Sequence, residues 1–317
     1  MHTWIPFFIF FAALLAIIKG GDLFVNAATW IAKVSGVPQF LIGATIVSLA
    51  TTLPEMIVSI IAVRHGEIEI GIGNAVGSVT ANTGLILSIA LLCTTIPIRR
   101  KTYDKKSFLL IAACGILFLA CLPGYFQMWG SIVLLLIFLA SVHDNIKHAK
   151  SEVPSPSVTL PASGQWAPNI VKFVLGAALI VVGSHLLVSS GSTIATMMGV
   201  PDRIIAVTMV AIGTSLPELV TTITSVLKKQ ASLSLGNIIG ANLIDLSLIL
   251  PICSFVSKTP LPISRQSVFL DIPVCLLILL IAIVPMLIKK RSYRWQGFVL
   301  IAVYAGYLIS MIVHHAI

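Results

Sequence analysis

Apolar residues run along this chain in blocks separated by short polar or basic stretches, and each block is near the roughly 20 residues that a helix needs to cross the hydrocarbon core of a bilayer. The pattern predicts ten such windows, at 4–32, 39–63, 71–96, 107–123, 126–146, 168–196, 204–227, 233–256, 268–288 and 295–313. Gly and Pro interrupt several of them. The expected fold class is an all-α polytopic membrane protein with about ten transmembrane helices.

The same pattern occurs twice. GATIVSLATTLPEMIVS begins at Gly43 and AVTMVAIGTSLPELVTT at Ala206, each with Leu-Pro-Glu inside an apolar segment. The offset between them carries Gly36-Val37-Pro38 onto Gly199-Val200-Pro201, Gly73-Asn74 onto Gly236-Asn237, Gly77 onto Gly240 and Asn82 onto Asp245, with no insertion. Two five-helix repeats are therefore expected, at residues 1–148 and 168–317, joined by a Pro- and Ser-rich linker at 149–167. An odd number of helices per repeat inverts the second relative to the first, an architecture of secondary transporters.

Composition agrees with this picture: 57% of residues are hydrophobic and 10% charged, with a mean hydropathy of +1.05. The net charge of +9 does not point to nucleic acid, because the basic residues sit in short loops. With the loops assigned alternately, fifteen Lys and Arg fall on one side and four on the other. That bias makes the first side cytoplasmic and places both termini outside, in a multi-pass protein of the cell inner (plasma) membrane. A signal peptide fits poorly, since no basic stretch precedes the first apolar run. The five cysteines lack metal-ligand spacing and read as small core residues. No P-loop sequence is visible, so no ATP site, enzymatic activity or resident cofactor is expected.

Ionisable groups at membrane depth are costly and by default mark an ion or proton pathway. Thr51 and Thr52 precede Glu55 by four and three residues and so share its helical face. Pro54 removes a backbone donor and frees a carbonyl near Ala50, as Pro217 does in the second repeat, where Thr214 and Ser215 precede Glu218. Asn74, Ser78 and Asn82 line one face of the next helix, as Asn237, Ala241 and Asp245 do in the second half. Gly73 and Gly77, like Gly236 and Gly240, form GxxxG steps expected to pack closely on the Pro-containing helix. Together the two halves would supply carboxylates, hydroxyls and carbonyls, an all-oxygen set suited to calcium or sodium. Glu67 and Glu69 read as solvated, and Asp22 and His185 as interfacial or structural.

The segments GATIVSLATTLPE with GNAVGSVTANTGLIL, and VAIGTSLPE with GNIIGANLIDLSLIL, resemble the two alpha repeats of the calcium/cation antiporter superfamily, most closely its sodium/calcium exchanger branch. The resemblance covers the whole chain. It implies a calcium site at Thr51, Glu55, Thr214 and Glu218. It further implies flanking sodium sites at Thr52, Ser78, Ser215 and the carbonyls of Ser48 and Ala211, with Asn82 and Asp245 completing the central region. The partners it implies are calcium and sodium ions exchanged across the lipid bilayer, with no nucleic acid and no ATP. One departure bears on coupling: the family's Gly-Ser-Asn step is Gly240-Ala241-Asn242 here, which removes a side-chain oxygen beside a sodium site. A proton/calcium antiporter is the nearest alternative, and a cation channel the alternative from a different class.

Overall fold

The computed structural model describes residues 4–98, 100–151, 166–199, 213, 215–257 and 260–314. The chain is mostly helical. The first-half helices are α1 (Ile5–Ser35), α2 (Gln39–Arg64), α3 (Ile68–Cys93), α4 (Arg100–Cys121) and α5 (Met128–Ser151). The second half holds α6 (Trp166–Met197), α7 (Leu216–Leu227), α8 (Ala231–Ser257), α9 (Ser267–Lys289) and α10 (Arg294–His314). Seven of these, α1, α2, α3, α5, α6, α8 and α9, are long and apolar enough to cross a membrane among the described residues.

Local sequence explains the boundaries. Pro6 sits in the first turn of α1, and Gly36 ends that helix in the left-handed region at φ 69°, a conformation that costs glycine nothing. Its repeat counterpart Gly199 adopts φ 80° just past α6. Helix α4 starts well ahead of the apolar window that begins at 107. Its first two turns carry Arg100, Lys101, Asp104, Lys105 and Lys106, which hydropathy reads as loop although the Lys and Arg among them are good helix formers.

Four helices contain a π-helical stretch among the described residues: Ser267–Asp271 at the start of α9, Gly43–Val47 in α2, Asn82–Leu87 in α3 and Asp245–Ile249 in α8. The last two begin at the repeat-related pair Asn82 and Asp245. Pro54 lies inside α2 without ending it, whereas Pro217 sits in the first turn of α7, so a new helix begins there. The proline thus starts a helix in the second half alone.

Burial separates centre from periphery. In the most apolar windows of α8 and α3, 83% and 72% of residues are buried, against 33% and 22% in α1 and α6. Helices α3 and α8 form the middle of the bundle. Helices α1 and α6 pack against each other along glycines: a Cβ at Gly176 would come within 2.6 Å of the Phe24 backbone nitrogen. Their outward faces carry exposed Phe8, Phe11, Leu15, Val171 and Val174, an apolar surface that lipid would cover. Two short backbone pairings tie loops of opposite halves together. Tyr125–Phe126 (β1) pairs antiparallel with Leu261–Pro262 (β2), and Pro97 bridges Arg291.

Cys114, Cys121, Cys253 and Cys275 are free, buried thiols in the main apolar cluster, and Cys93 is free and exposed. Asp22 forms an ion pair with Lys228 at 3.0 Å, a structural link between α1 and the end of α7.

Candidate functional site

The buried face of α2 is polar and its outer face apolar, the reverse of a water-soluble amphipathic helix. Ser48, Thr51, Thr52, Glu55 and Ser59 recur at helical spacing and are all buried, while Leu49, Leu53, Ile57 and Ile61 point outward. Helix α7 repeats this with Glu218, Thr221, Thr222 and Ser225 inside. A polar face turned inward by apolar surroundings has to find its partners within the bundle.

Some of those partners come from the opposite half. Thr52 Oγ1 donates to Glu218 Oε1 at 3.2 Å. Thr51 Oγ1 donates to the carbonyl of Ser48 and to Asn237 Oδ1, both at 3.3 Å. Asn82 Nδ2 donates to Asn242 Oδ1 at 3.1 Å, and Asn242 Nδ2 donates to Thr83 Oγ1 at 2.8 Å. This crosslink joins α3 and α8 beside the starts of their π-helical stretches. Asn74 donates to the Glu55 carbonyl at 3.1 Å and to Ser59 Oγ at 2.9 Å, so it reaches the Glu55 turn through the backbone.

Several other oxygens have no hydrogen-bond partner among the described residues. Glu55 is 1% exposed, and Glu218 and Asp245 are 0% exposed. Both carboxylate oxygens of Glu55, both of Asp245, Oε2 of Glu218, Oδ1 of Asn82 and the hydroxyls of Ser78 and Ser215 are buried without a hydrogen bond. Neither Lys, Arg nor His pairs with any of the three carboxylates among the described residues. The acids lie within electrostatic reach of one another, Glu55 sensing Glu218 and Asp245, and Asp245 sensing Glu218. Burying a charge without a counter-charge is among the most unfavourable arrangements in a protein. A bound cation would compensate these charges.

No three His, Cys, Asp or Glu side chains converge on one point among the described residues. A cation here would be shared by carboxylates with hydroxyl, amide and carbonyl oxygens, the donor set of a hard ion. Glu55, Glu218, Thr51, Thr52, Ser48, Ser78, Asn82, Ser215 and Asp245 are all buried. Thr214 and Ala211, the other two residues expected at the site, lie outside the described residues. The expected polar stripe of α8 includes Asn237, and Asn242 and Thr83 join the network besides; these three were not among the expected ligands. Asn237 and Asn242 were visible as polar residues in an apolar window, whereas nothing in the order of residues shows that Thr83 reaches across to Asn242.

The close packing expected of both GxxxG steps holds for one of them. A Cβ at Gly236 would collide with the Phe40 carbonyl, and one at Gly240 would lie 2.5 Å from Ser48 Oγ, so α8 is pressed onto the π-helical end of α2. At Gly73 and Gly77 a Cβ would meet nothing within 4 Å among the described residues. The first-half glycines border open space instead.

Fold and site define a multi-span membrane protein with a buried cluster of carboxylate, hydroxyl and amide oxygens between repeated helices, its carboxylates paired with no Lys, Arg or His among the described residues. The chain belongs to the sodium/calcium exchanger protein family, whose pattern matches residues 5–143 and 169–313. The sodium/calcium exchanger MaX1 of Methanosarcina acetivorans is 29% identical, with 97% of this chain and 98% of that protein covered. The inner membrane protein YrbG of Escherichia coli is 30% identical over 80% of this chain and 81% of its own. The fold is also similar to the solved structure of the sodium-calcium exchanger NCX_Mj, with a TM-score of 0.83 and 27% identity over 96% of this chain and 98% of the other.

Proposed function

We propose that this protein is a secondary active antiporter that exchanges calcium for sodium by alternating access. Buried carboxylate oxygens on repeated helices, with no Lys, Arg or His paired to them among the described residues, carry this reading. Calcium is taken to sit between Glu55 and Glu218 with Thr51 and Thr214. Sodium is taken to use Thr52, Ser78, Ser215 and the carbonyls of Ser48 and Ala211, with Asn82 and Asp245 in the central region. A dication and a set of monocations compete for one group of carboxylates, and either neutralises the site enough for it to pass between faces. The exchange needs no enzymatic step, resident cofactor, ATP or nucleic acid.

The architecture that suits this function is ten transmembrane helices in two inverted repeats, residues 1–148 and 168–317, with 149–167 between them. In the window 107–123 lies the apolar part of α4, in 204–227 lies helix α7, and in 295–313 helix α10. The bias of basic residues orients the protein in the plasma membrane with both termini outside.

One feature favours a second coupling ion. Ala241 is fully buried where the resemblance expects a serine hydroxyl, so one sodium ligand is missing. Labelled calcium uptake into proteoliposomes tests both readings. Vesicles loaded with sodium are expected to accumulate calcium, while vesicles with only an outward proton gradient are not. Uptake driven by protons alone would assign the chain to proton coupling, and uptake with neither gradient, under a membrane potential, would make it a channel.

A further inference from the structure

A further carboxylate within an apolar window, Asp271, has no part in the exchange site described above. It closes a π-helical turn, Ser267–Asp271, at the start of α9. Its Oδ1 accepts from the Tyr307 hydroxyl and its Oδ2 from Ser267 Oγ, both at 3.0 Å. No Lys, Arg or His pairs with it among the described residues. Each oxygen therefore keeps acceptor capacity and the charge keeps no counter-ion.

Asp271 lines a cavity of about 310 Å³ between α3, α9 and α10. At about 30 Å³ of liquid volume per water, roughly ten waters would fill it, enough to hold a hydrated cation. Gly73 and Gly77 form part of its wall, and their missing side chains keep it open. Asn74 and Ser78 also line it. Ser78 is 3% exposed and its hydroxyl is buried without a partner. The cavity therefore has, among the described residues, a carboxylate without a counter-ion at the α9 side and a hydroxyl without a hydrogen-bond partner, itself a proposed exchange ligand, at the α3 side.

We propose that this cavity is a peripheral cation site, in which Asp271 captures a hydrated sodium or calcium ion and Ser78 passes it to the exchange site. The site rests on the exchange reading and extends it. In the orientation inferred from the loop charges, the start of α9 faces outside, so the site serves the external face. A carboxylate without a counter-ion lining a low-dielectric cleft raises the local cation concentration, and it lowers the bulk concentration needed to half-saturate transport from that face.

Calcium flux in right-side-out and inverted membrane vesicles reads this directly. Asp271→Asn is expected to raise the half-saturating external calcium about five-fold with the maximal rate retained, to leave the internal value unchanged, and to lose this effect at high ionic strength. Asp271→Glu is expected to restore the wild-type value, and Tyr307→Phe, which keeps the charge, to stay within about two-fold of it. Unchanged half-saturation in Asp271→Asn overturns the proposal. So does a salt-insensitive defect shared equally by Tyr307→Phe, which would make the carboxylate an interhelical clasp. Terbium provides a readout that does not depend on exchange. Tyrosine-sensitised terbium luminescence is expected to persist in Glu218→Gln and to fall sharply in Asp271→Asn, and full luminescence in Asp271→Asn also overturns the site. Absence of sodium-driven flux in the wild type would instead strike the exchange reading alone.

Discussion

At the scale of single residues, Glu55 and Glu218 combine two roles that pull in opposite directions. As the proposed cation ligands they are needed, yet without a cation they are buried charges, with oxygens unsatisfied among the described residues, which destabilise the fold. Glu218→Gln or Glu55→Gln keeps the shape and removes the charge. Calcium flux is expected to fall at least about 100-fold, since losing a carboxylate from a dication site costs on the order of 3 kcal/mol or more. The melting temperature in cation-free detergent should hold or rise, because an uncompensated charge has left the interior. Wild-type protein should gain stability on adding calcium, as any ligand specific to the native state requires, and the variants should lose that gain. Flux within a few-fold of wild type, or a variant that melts lower and still responds to calcium, would remove these residues from the ion site.

At the scale of elements, the repeat is regular in sequence and irregular in packing. Gly240→Ala pushes a methyl into Ser48 and Ala44 of α2 and is expected to destabilise by roughly 2 kcal/mol or more. Gly77→Ala meets open space and is expected to be neutral or to stabilise by up to about 1 kcal/mol through helix propensity. Thermal unfolding of the two variants side by side checks the contrast, and equal destabilisation would mean that both glycines are packed. The helix spans were readable from hydropathy, because long apolar runs in a duplicated pattern leave few alternatives: 39–63 became Gln39–Arg64, and 268–288 became Ser267–Lys289. The burial of the three carboxylates and of their described hydroxyl neighbours was readable for the same reason, as costly residues at equivalent points. The packing asymmetry of the glycines, the contact of Thr52 with Glu218 and the Asn82–Asn242–Thr83 link were not, since each depends on how one half leans on the other. The basic end of α4 was missed because its charge concealed a helix whose Lys106 is fully buried against Ser141. Burial pulls the Lys106 ammonium down to about 8, partly opposed by the Asp144 carboxylate. The folded state therefore sheds this proton before the unfolded chain does, and the burial penalty is complete below about pH 8 and relieved as pH rises toward the ordinary lysine value. Lys106→Met is expected to stabilise the protein at pH 7 by on the order of 2 kcal/mol and to flatten the rise in stability above pH 8. Denaturation in detergent at several pH values shows whether it does; Asp144 keeps Lys105 at 2.8 Å in either case.

At the scale of the whole molecule, the unpaired carboxylates decide between a carrier and a pore. Alternating access has to move the site's surroundings past it, and an empty site makes that passage with several buried negative charges uncompensated. An effective penalty of on the order of 5 kcal/mol for that charge slows the crossing about 10³- to 10⁴-fold. A cation-bound site avoids most of the penalty, so crossing is fast when either calcium or sodium is present and slow when neither is. Exchange is thereby made obligatory by electrostatics, with no need for a gate that recognises both ions. Proteoliposomes loaded with labelled calcium should retain it in a medium of choline chloride, and release it at least 100-fold faster when sodium or unlabelled calcium is added outside, given a penalty of this size. A pore behaves differently, because its ions pass without a partner on the far side and release would begin in choline as soon as a membrane potential allowed it. Asp245, the acid that has no acidic counterpart at Asn82 in the first repeat, sets how much charge the returning ions must cover. Asp245→Asn should reduce the residual leak penalty and raise calcium release into choline while lowering the sodium-stimulated rate, so the ratio of the two rates reports how tightly the halves couple the ions.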